Sequence, residues 1–301
     1  MLNSTQKHIP IPNSLEKGFV SALAVGTAIG IDQFLGTRGN AARRTVPEFH
    51  TTRLDENTPY ALGVLPGCQT NGRLFFESLI PLTPDTKLIT TDYPEHRFNI
   101  EAVCEGLAKQ LVQNRIERPA LLCESMGGIV MRHFLHYADQ MGVAEKLGGF
   151  SAVVLDSSPF DYDDVRESSK RLATAASATG IRTSHTFDFL KRHIYGHFAG
   201  HMSADAHLDT IRSETLFMQQ QHPDGPLPDI MDSIYYIHGP FDHVINTDTA
   251  APRYQAIAPS GKFQEIVHES RRHGDHTASI TQLDFVLSYA GVAAPNYSLV
   301  A

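Results

Sequence analysis

Short apolar runs and amphipathic segments alternate along this chain from about Arg43 onward. Most of the runs are continuously apolar rather than alternating, which is typical of strands in a parallel sheet that is covered on both faces. The strand candidates are YALGVLPG, KLITTDYP, PALLCE, FSAVVLDSS, SIYYIHG and KFQEIVHE. Their alternation with helical segments predicts an α/β fold with a mostly parallel, doubly wound sheet.

Three longer segments place apolar side chains at helical spacing. The first, NIEAVCEGLAKQLVQN, begins at Asn99, a residue type that caps helix N-termini. The second, GGIVMRHFLHYADQMG, directly follows the strand candidate PALLCE, and the third, ASITQLDFVLSYAG, lies near the C-terminus. These segments predict helices that cover the sheet.

The alternation stops between about Phe160 and Met231, where helical stretches occur without a strand candidate. The stretch contains an apolar stripe at helical spacing, formed by Phe187, Leu190, Ile194, Phe198 and Met202. We therefore predict a helical cap over residues 161–230, inserted between late strands. The α/β core would comprise residues 43–160 and 231–301, with a helical N-terminal extension over residues 1–42.

The N-terminal extension contains one apolar segment, Gly18–Ile31. This segment is too short and too rich in glycine to span a membrane, which takes about 20 apolar residues. Both signs of charge and prolines precede it, unlike the basic start of a signal peptide. We interpret it as a small-residue helix packed on the domain, with a signal or anchor as the alternative.

Composition narrows the functional classes. The 301 residues carry a formal net charge of −8 and no long basic run, so nucleic-acid binding is not expected. The cysteines are Cys68, Cys104 and Cys123, and this small odd number argues against a disulfide framework and fits a reducing compartment. We predict a cytoplasmic protein without membrane association, and the sequence leaves its oligomeric state open.

Ser125 is the candidate nucleophile. It lies in CESMG between a predicted strand and a predicted helix. This segment matches the G-x-S-x-G nucleophile elbow except at one position, where Cys123 replaces the first glycine. An elbow of this kind lifts the hydroxyl above the carboxyl edge of the sheet. The N–H groups at the start of the following helix also favour a developing anion.

A serine nucleophile needs a base, which an acid orients. Asp242 follows the strand candidate SIYYIHG, and His276 lies between the last strand candidate and the last helix. We predict Asp242 as the acid and His276 as the base, in the chain order expected after an elbow. Asp156 is the alternative acid and His273 the alternative base.

An oxyanion hole would complete the site with two backbone N–H donors. Met126, directly after the serine, offers one donor. The glycine-bearing loop LPGCQTNG follows the first strong strand candidate and could supply the other from Cys68.

The chain from about Arg43 to its C-terminus resembles the α/β-hydrolase superfamily. The resemblance rests on LPGCQTNG, CESMGG, IHGPFDHVI and HGDHTAS, taken in this order and context. It implies an eight-stranded, mostly parallel sheet with a variable cap after the sixth strand. Two departures are Cys123 in the elbow and Pro66, where many members carry a histidine, and they leave the subfamily open.

These residues predict a serine hydrolase that cleaves a small-molecule carboxylic ester or thioester without a cofactor, with the apolar stripe suggesting a hydrophobic substrate. Acyl transfer, another non-hydrolytic reaction of this fold, or a ligand-binding receptor that retains the triad are the alternatives. The cap histidines His193, His197 and His201 suggest a metal enzyme less well. On one helix, the first and third would be about 12 Å apart by helix rise.

Overall fold

The computed structural model describes residues 45–52, 58, 60–68, 70, 72–94, 97–170, 208–240, 242–269, 273 and 280–291. Within them lies one seven-stranded sheet with strand order β1-β3-β2-β4-β5-β6-β7. The strands are β1 Glu48–Thr51, β2 Tyr60–Leu65, β3 Thr86–Asp92, β4 Ala120–Glu124, β5 Ala152–Asp156, β6 Ile234–His238 and β7 Phe263–Val267. β1 pairs with β3 in antiparallel orientation, and the other pairings are parallel.

Helices connect the parallel strands. They are α1 Gly72–Leu79, α2 Ile100–Gln113, α3 Gly127–Gln140, α4 Val143–Leu147, α5 Leu208–Met218, α6 Thr247–Ile257 and α7 Ile280–Tyr289. The predicted cap of α2 is confirmed, because the Asn99 side chain accepts a hydrogen bond from the Ala102 N–H at 3.1 Å.

The central strands are buried on both faces, as their continuous apolar runs predict. In β4, Leu121 and Cys123 join the core on the side of α2 and α3, whereas Ala120 and Leu122 join the core on the side of α1 and α7. Successive strand residues point to opposite faces, so only a strand that is apolar throughout can contribute to both cores. The predicted α/β fold with a mostly parallel, doubly wound sheet is confirmed.

Some elements differ from the sequence prediction, and some predicted features lie outside the described residues. The six predicted strands are present, whereas β1 was not predicted, and the described residues form seven strands where the resemblance implies eight. The long insertion follows β5, and its described residues include helix α5. The apolar cap stripe, the three cap histidines and the N-terminal segment 18–31 lie outside the described residues. Among those that are described, no helix has the length and apolar character needed to cross a membrane.

Candidate active site

Ser125 occupies the tight turn between β4 and α3. Its φ angle is 46°, in the left-handed region that costs a non-glycine residue roughly 1–2 kcal/mol. The turn is fixed from both sides, because the Ser125 N–H donates to the Asp156 carbonyl at 2.9 Å and the Ser125 carbonyl accepts from the Gly128 N–H at 3.0 Å. The strained serine at the carboxyl end of a central strand has the geometry of a nucleophile elbow.

The two glycines after Ser125 allow α3 to start close to the neighbouring strands. A Cβ on Gly127 would lie 2.0 Å from the Leu65 carbonyl oxygen, and one on Gly128 would lie 2.5 Å from the Ser158 Cβ. Cys123, which stands where the elbow pattern has its first glycine, is fully buried, and burial raises the pKa of its thiol. This thiol therefore fills core space as a neutral group.

Asp242 lies in the loop after β6 and is 2% exposed. One carboxylate oxygen, Oδ1, accepts hydrogen bonds from the N–H groups of Val244 at 2.9 Å and Ile245 at 2.8 Å. The other oxygen, Oδ2, accepts from His273 Nδ1 at 3.0 Å. Arg166 holds the same loop from outside, since its Nε donates to the Asp242 carbonyl at 2.9 Å.

His273 is therefore the histidine that the structure pairs with the predicted acid, at 5% exposure. His276, which the sequence analysis prefers as the base, lies outside the described residues. The rival acid Asp156 ends β5 and is fully buried, and its backbone carbonyl rather than its side chain accepts the Ser125 N–H.

Opposite effects act on the pKa values of the Asp242–His273 pair. Burial by itself would raise the pKa of Asp242, but the charge and hydrogen bond of His273 and two backbone N–H groups outweigh burial and lower that pKa. Burial by itself would lower the pKa of His273, but the Asp242 charge and hydrogen bond, with the charges of Glu124 and Asp156, raise it. An ionised carboxylate only accepts hydrogen bonds, so Nδ1 of His273 carries a proton, and in the neutral imidazole the lone pair is on Nε2.

The predicted oxyanion donors are Met126, in this turn, and Cys68, in the loop after β2. We call that loop the oxyanion loop after the predicted donor that it carries. The loop after β2 is in contact with the elbow, because a Cβ on Gly67 would lie 3.1 Å from the Ser125 Cβ. Met126 is fully buried at the N-terminus of α3. The Cys68 side chain is turned towards α5, where its thiol donates to Glu214 Oε2 at 3.0 Å.

Helix α5 brings further side chains to this edge of the sheet. Phe217 stacks on Phe98 with ring centroids 4.1 Å apart, and Phe98 in turn lies 5.2 Å from the Tyr93 ring. The Ser213 hydroxyl accepts the Phe98 N–H at 2.6 Å. The insertion therefore covers the loop after β3, next to the oxyanion loop.

Sequence reasoning missed the side chains that support the oxyanion loop. The Tyr93 hydroxyl donates to the Pro66 carbonyl at 3.0 Å, and the Gly67 N–H donates to Glu124 Oε2 at 3.3 Å. Glu214 reaches Cys68 across 146 positions in sequence, and no sequence pattern signals such a pair. Glu124 has one signal, since a carboxylate beside a candidate nucleophile at the end of an apolar strand is unusual.

One group of side chains outside the elbow has the composition of a metal site. The ligand atoms of Glu48, His50 and Asp92 lie within 4.8 Å of one another at the β1–β3 edge. Both Asp92 oxygens already accept hydrogen bonds, from the Gly72 N–H and from His50 Nε2 at 2.8 Å, and Glu48 is exposed. Through Asp92, these bonds join β1 to the start of α1.

Neither a family model nor a curated protein matches the sequence. Solved structures match the fold. An esterase from Exiguobacterium antarcticum has a TM-score of 0.58 at 18% identity, and the match covers 81% of this chain and 94% of the esterase chain. MGS-M2, an α/β-hydrolase enzyme from a deep-sea metagenome library of the Medee basin, has a TM-score of 0.57 at 12% identity, covering 84% and 97%. The type II thioesterase BorB from the borrelidin biosynthetic cluster has a TM-score of 0.54 at 16% identity, covering 80% and 94%. This protein has the α/β-hydrolase fold.

Proposed function

We propose that this protein is a serine hydrolase that cleaves a carboxylic ester or thioester through an acyl-enzyme on Ser125. The observation that carries the proposal is the buried hydrogen bond between Asp242 and His273, at the sheet edge where Ser125 is held with a positive φ angle. A buried acid that orients an imidazole, and a strained serine at the start of a helix, are the parts that nucleophilic acyl transfer requires. The base in this proposal is His273 rather than the histidine preferred from sequence.

Acylation uses each group at a stated atom. His273 Nε2 takes the proton from the Ser125 hydroxyl, whose oxygen attacks the acyl carbon. The ionised Asp242 stabilises the imidazolium that forms. The N–H groups of Met126 and Cys68 stabilise the negative charge on the acyl oxygen, and the imidazolium then gives its proton to the departing alcohol or thiol.

Deacylation repeats the sequence with water. His273 takes a proton from the water as its oxygen attacks the acyl carbon. The tetrahedral intermediate collapses, its bond to Ser125 breaks, and the imidazolium returns the proton to the serine oxygen. The products are the carboxylic acid and the regenerated serine. No step requires a cofactor.

The aromatic side chains beside the oxyanion loop favour a hydrophobic acyl or alkyl group. Phe98 is partly exposed, and its ring packs against the rings of Tyr93 and Phe217. A solved esterase and a solved thioesterase share this fold, which supports both ester and thioester substrates. We expect p-nitrophenyl esters of short and medium acyl chains to be hydrolysed.

Labelling with a fluorophosphonate probe tests the nucleophile. Wild-type protein should be labelled and should hydrolyse p-nitrophenyl butyrate, whereas Ser125→Ala should do neither. Ser157→Ala is a matched control. Like Ser125, Ser157 directly follows a strand and has a positive φ angle, 47°, but no helix begins directly after it. Equal labelling of wild type and Ser125→Ala would rule out the proposed nucleophile. Labelling without turnover of any ester would favour a receptor that retains the triad.

Two single substitutions identify the base. We expect His273→Ala to abolish hydrolysis, because it removes the imidazole bonded to Asp242. His276→Ala should keep most of the activity. The reverse pattern would restore His276 as the base.

A further inference from the structure

One peptide group of the oxyanion loop is held at both ends by side chains. The carbonyl of the Pro66–Gly67 peptide accepts a hydrogen bond from the Tyr93 hydroxyl at 3.0 Å. The N–H of the same peptide donates to Glu124 Oε2 at 3.3 Å. Because a trans peptide is planar and its C=O and N–H point in opposite directions, these two bonds fix the orientation of the whole group.

The next peptide along the loop contains the predicted oxyanion donor. The Gly67 carbonyl accepts a hydrogen bond from the Thr70 N–H at 3.2 Å. The Cys68 N–H belongs to the same peptide plane and therefore points away from that turn. Its direction depends on the Gly67 backbone, which the preceding peptide anchors.

Glu124 is placed to anchor this loop against the nucleophile. It directly precedes Ser125, and its carboxylate is nearly inaccessible, with the residue 1% exposed. A Cβ on Gly67 would lie 3.2 Å from the Glu124 Cδ and 3.1 Å from the Ser125 Cβ, so loop, carboxylate and serine are in contact. A buried carboxylate is costly unless hydrogen bonds satisfy it, which ties its position to the loop N–H.

From these contacts we infer that Glu124 is a positioning residue for the oxyanion hole: its carboxylate holds the Gly67 peptide so that the Cys68 N–H is aimed at the acyl oxygen beside Ser125. The inference rests on the proposed function. Tyr93 holds the other end of the same peptide.

The charge of Glu124 gives a second, separate effect. Asp242 in the loop after β6 is bonded to His273 at 3.0 Å, and Glu124 and Asp156 end the neighbouring strands β4 and β5. The charges of all three carboxylates raise the pKa of the imidazole. Removing the charge of Glu124 therefore lowers this pKa and moves the acid limb of the activity profile to lower pH. A role confined to packing would not move that limb.

Glu124→Gln and Glu124→Ala separate the two effects. Each variant is assayed with p-nitrophenyl butyrate, and kcat is referred to the active sites counted by Ser125-dependent fluorophosphonate labelling, so that misfolded protein is not counted. Glu124→Ala loses the acceptor for the Gly67 N–H, and we expect kcat to fall by roughly 10- to 100-fold while KM changes by less than about 3-fold. This loss of kcat is somewhat smaller than the loss caused by deleting an oxyanion donor. In Glu124→Gln the amide oxygen still accepts, and kcat should recover at least about tenfold relative to the alanine variant.

Both variants should also shift the acid limb of kcat/KM to lower pH. Tyr93→Phe removes the other anchor, and it should lower kcat without moving the acid limb as far as Glu124→Gln does. Glu145→Ala, an exposed glutamate in α4, is the matched control and should leave all parameters unchanged.

The outcomes distinguish the inference from the function beneath it. If the wild type hydrolyses esters with Ser125 but Glu124→Ala matches Glu145→Ala in kcat, the inference is wrong and the hydrolase proposal stands. An unmoved acid limb in Glu124→Gln would likewise overturn the electrostatic part. If wild type shows no Ser125-dependent turnover, the proposed function fails and the inference fails with it.

Discussion

Replacing Asp242 with asparagine should reverse the polarity of its hydrogen bond with His273. Oδ1 of Asp242 accepts two backbone N–H groups at 2.9 and 2.8 Å, so an acceptor must remain there. The amide oxygen of the introduced asparagine would take that position, and its NH₂ group would face His273. An NH₂ donor requires an unprotonated Nδ1, which moves the imidazole proton to Nε2. This removes the lone pair that, in the proposed mechanism, accepts the Ser125 proton.

The expected loss is on the order of 10⁴-fold in kcat, as for the same exchange in a serine protease triad. This equals about 5 kcal/mol in activation free energy. The assay is hydrolysis of p-nitrophenyl butyrate at pH 7.5, with the labelling rate by a fluorophosphonate as an independent measure of serine reactivity. Asp156→Asn, the matched change in the rival acid, should lose far less. The reasoning would be refuted if Asp242→Asn kept activity within about tenfold of wild type while Asp156→Asn lost more.

The same substitution predicts a pH-dependent loss of stability. The lowered pKa of Asp242 stabilises the fold above the unfolded Asp pKa, and this contribution is lost as pH falls through the folded value. The raised pKa of His273 stabilises the fold below the unfolded His pKa of about 6.5, and this contribution is lost as pH rises through the folded value. The two contributions coexist between about pH 4 and pH 6.5. Urea unfolding of wild type and Asp242→Asn should therefore differ most in that window, and a constant difference across pH would contradict the coupling.

Three further predictions concern the base, the elbow and a helix cap. The acid limb of kcat/KM should lie above the ordinary His pKa of 6.5, because the pKa of His273 is raised; a pH–rate profile with its limb below 6 would disagree. Gly127→Ala places a Cβ 2.0 Å from the Leu65 carbonyl oxygen. It should lower the free energy of unfolding by about 1–3 kcal/mol and abolish most of the fluorophosphonate labelling. Gly225→Ala, where a Cβ would meet no atom of the described residues within 4 Å, should change neither. Asn99→Ala removes the cap of α2 and should cost about 1 kcal/mol by urea unfolding with kcat unchanged, and a loss of kcat would show that the cap has another role.

The core of the fold could be predicted because its strands are apolar throughout. A strand buried on both faces, such as β4, leaves a continuous apolar run that no loop would show, and α2 carries its own N-terminal signal in Asn99. β1 left no such signal. It is a four-residue edge strand, EFHT, none of whose residues is fully buried, so its place depends on pairing with β3 rather than on its own pattern.

The candidate nucleophile also followed from local sequence, since strand, serine and helix are contiguous. The candidate acid, Asp242, followed from its position after a predicted strand. The choice between His273 and His276 did not, because the two are only three positions apart in sequence and only the fold decides which imidazole reaches Asp242.

By itself, the sequence determined six of the strands and the strand–serine–helix turn, because each is signalled by residues close together in the chain. It also placed the candidate acid and the candidate bases after later strands. Tertiary structure alone revealed the Asp242–His273 bond, the contact of Glu214 with Cys68, and the anchoring of Gly67 by Glu124. These contacts join residues 31, 146 and 57 positions apart. Hydrogen bonds act over about 3 Å, and only the folded backbone sets which distant groups come within that reach.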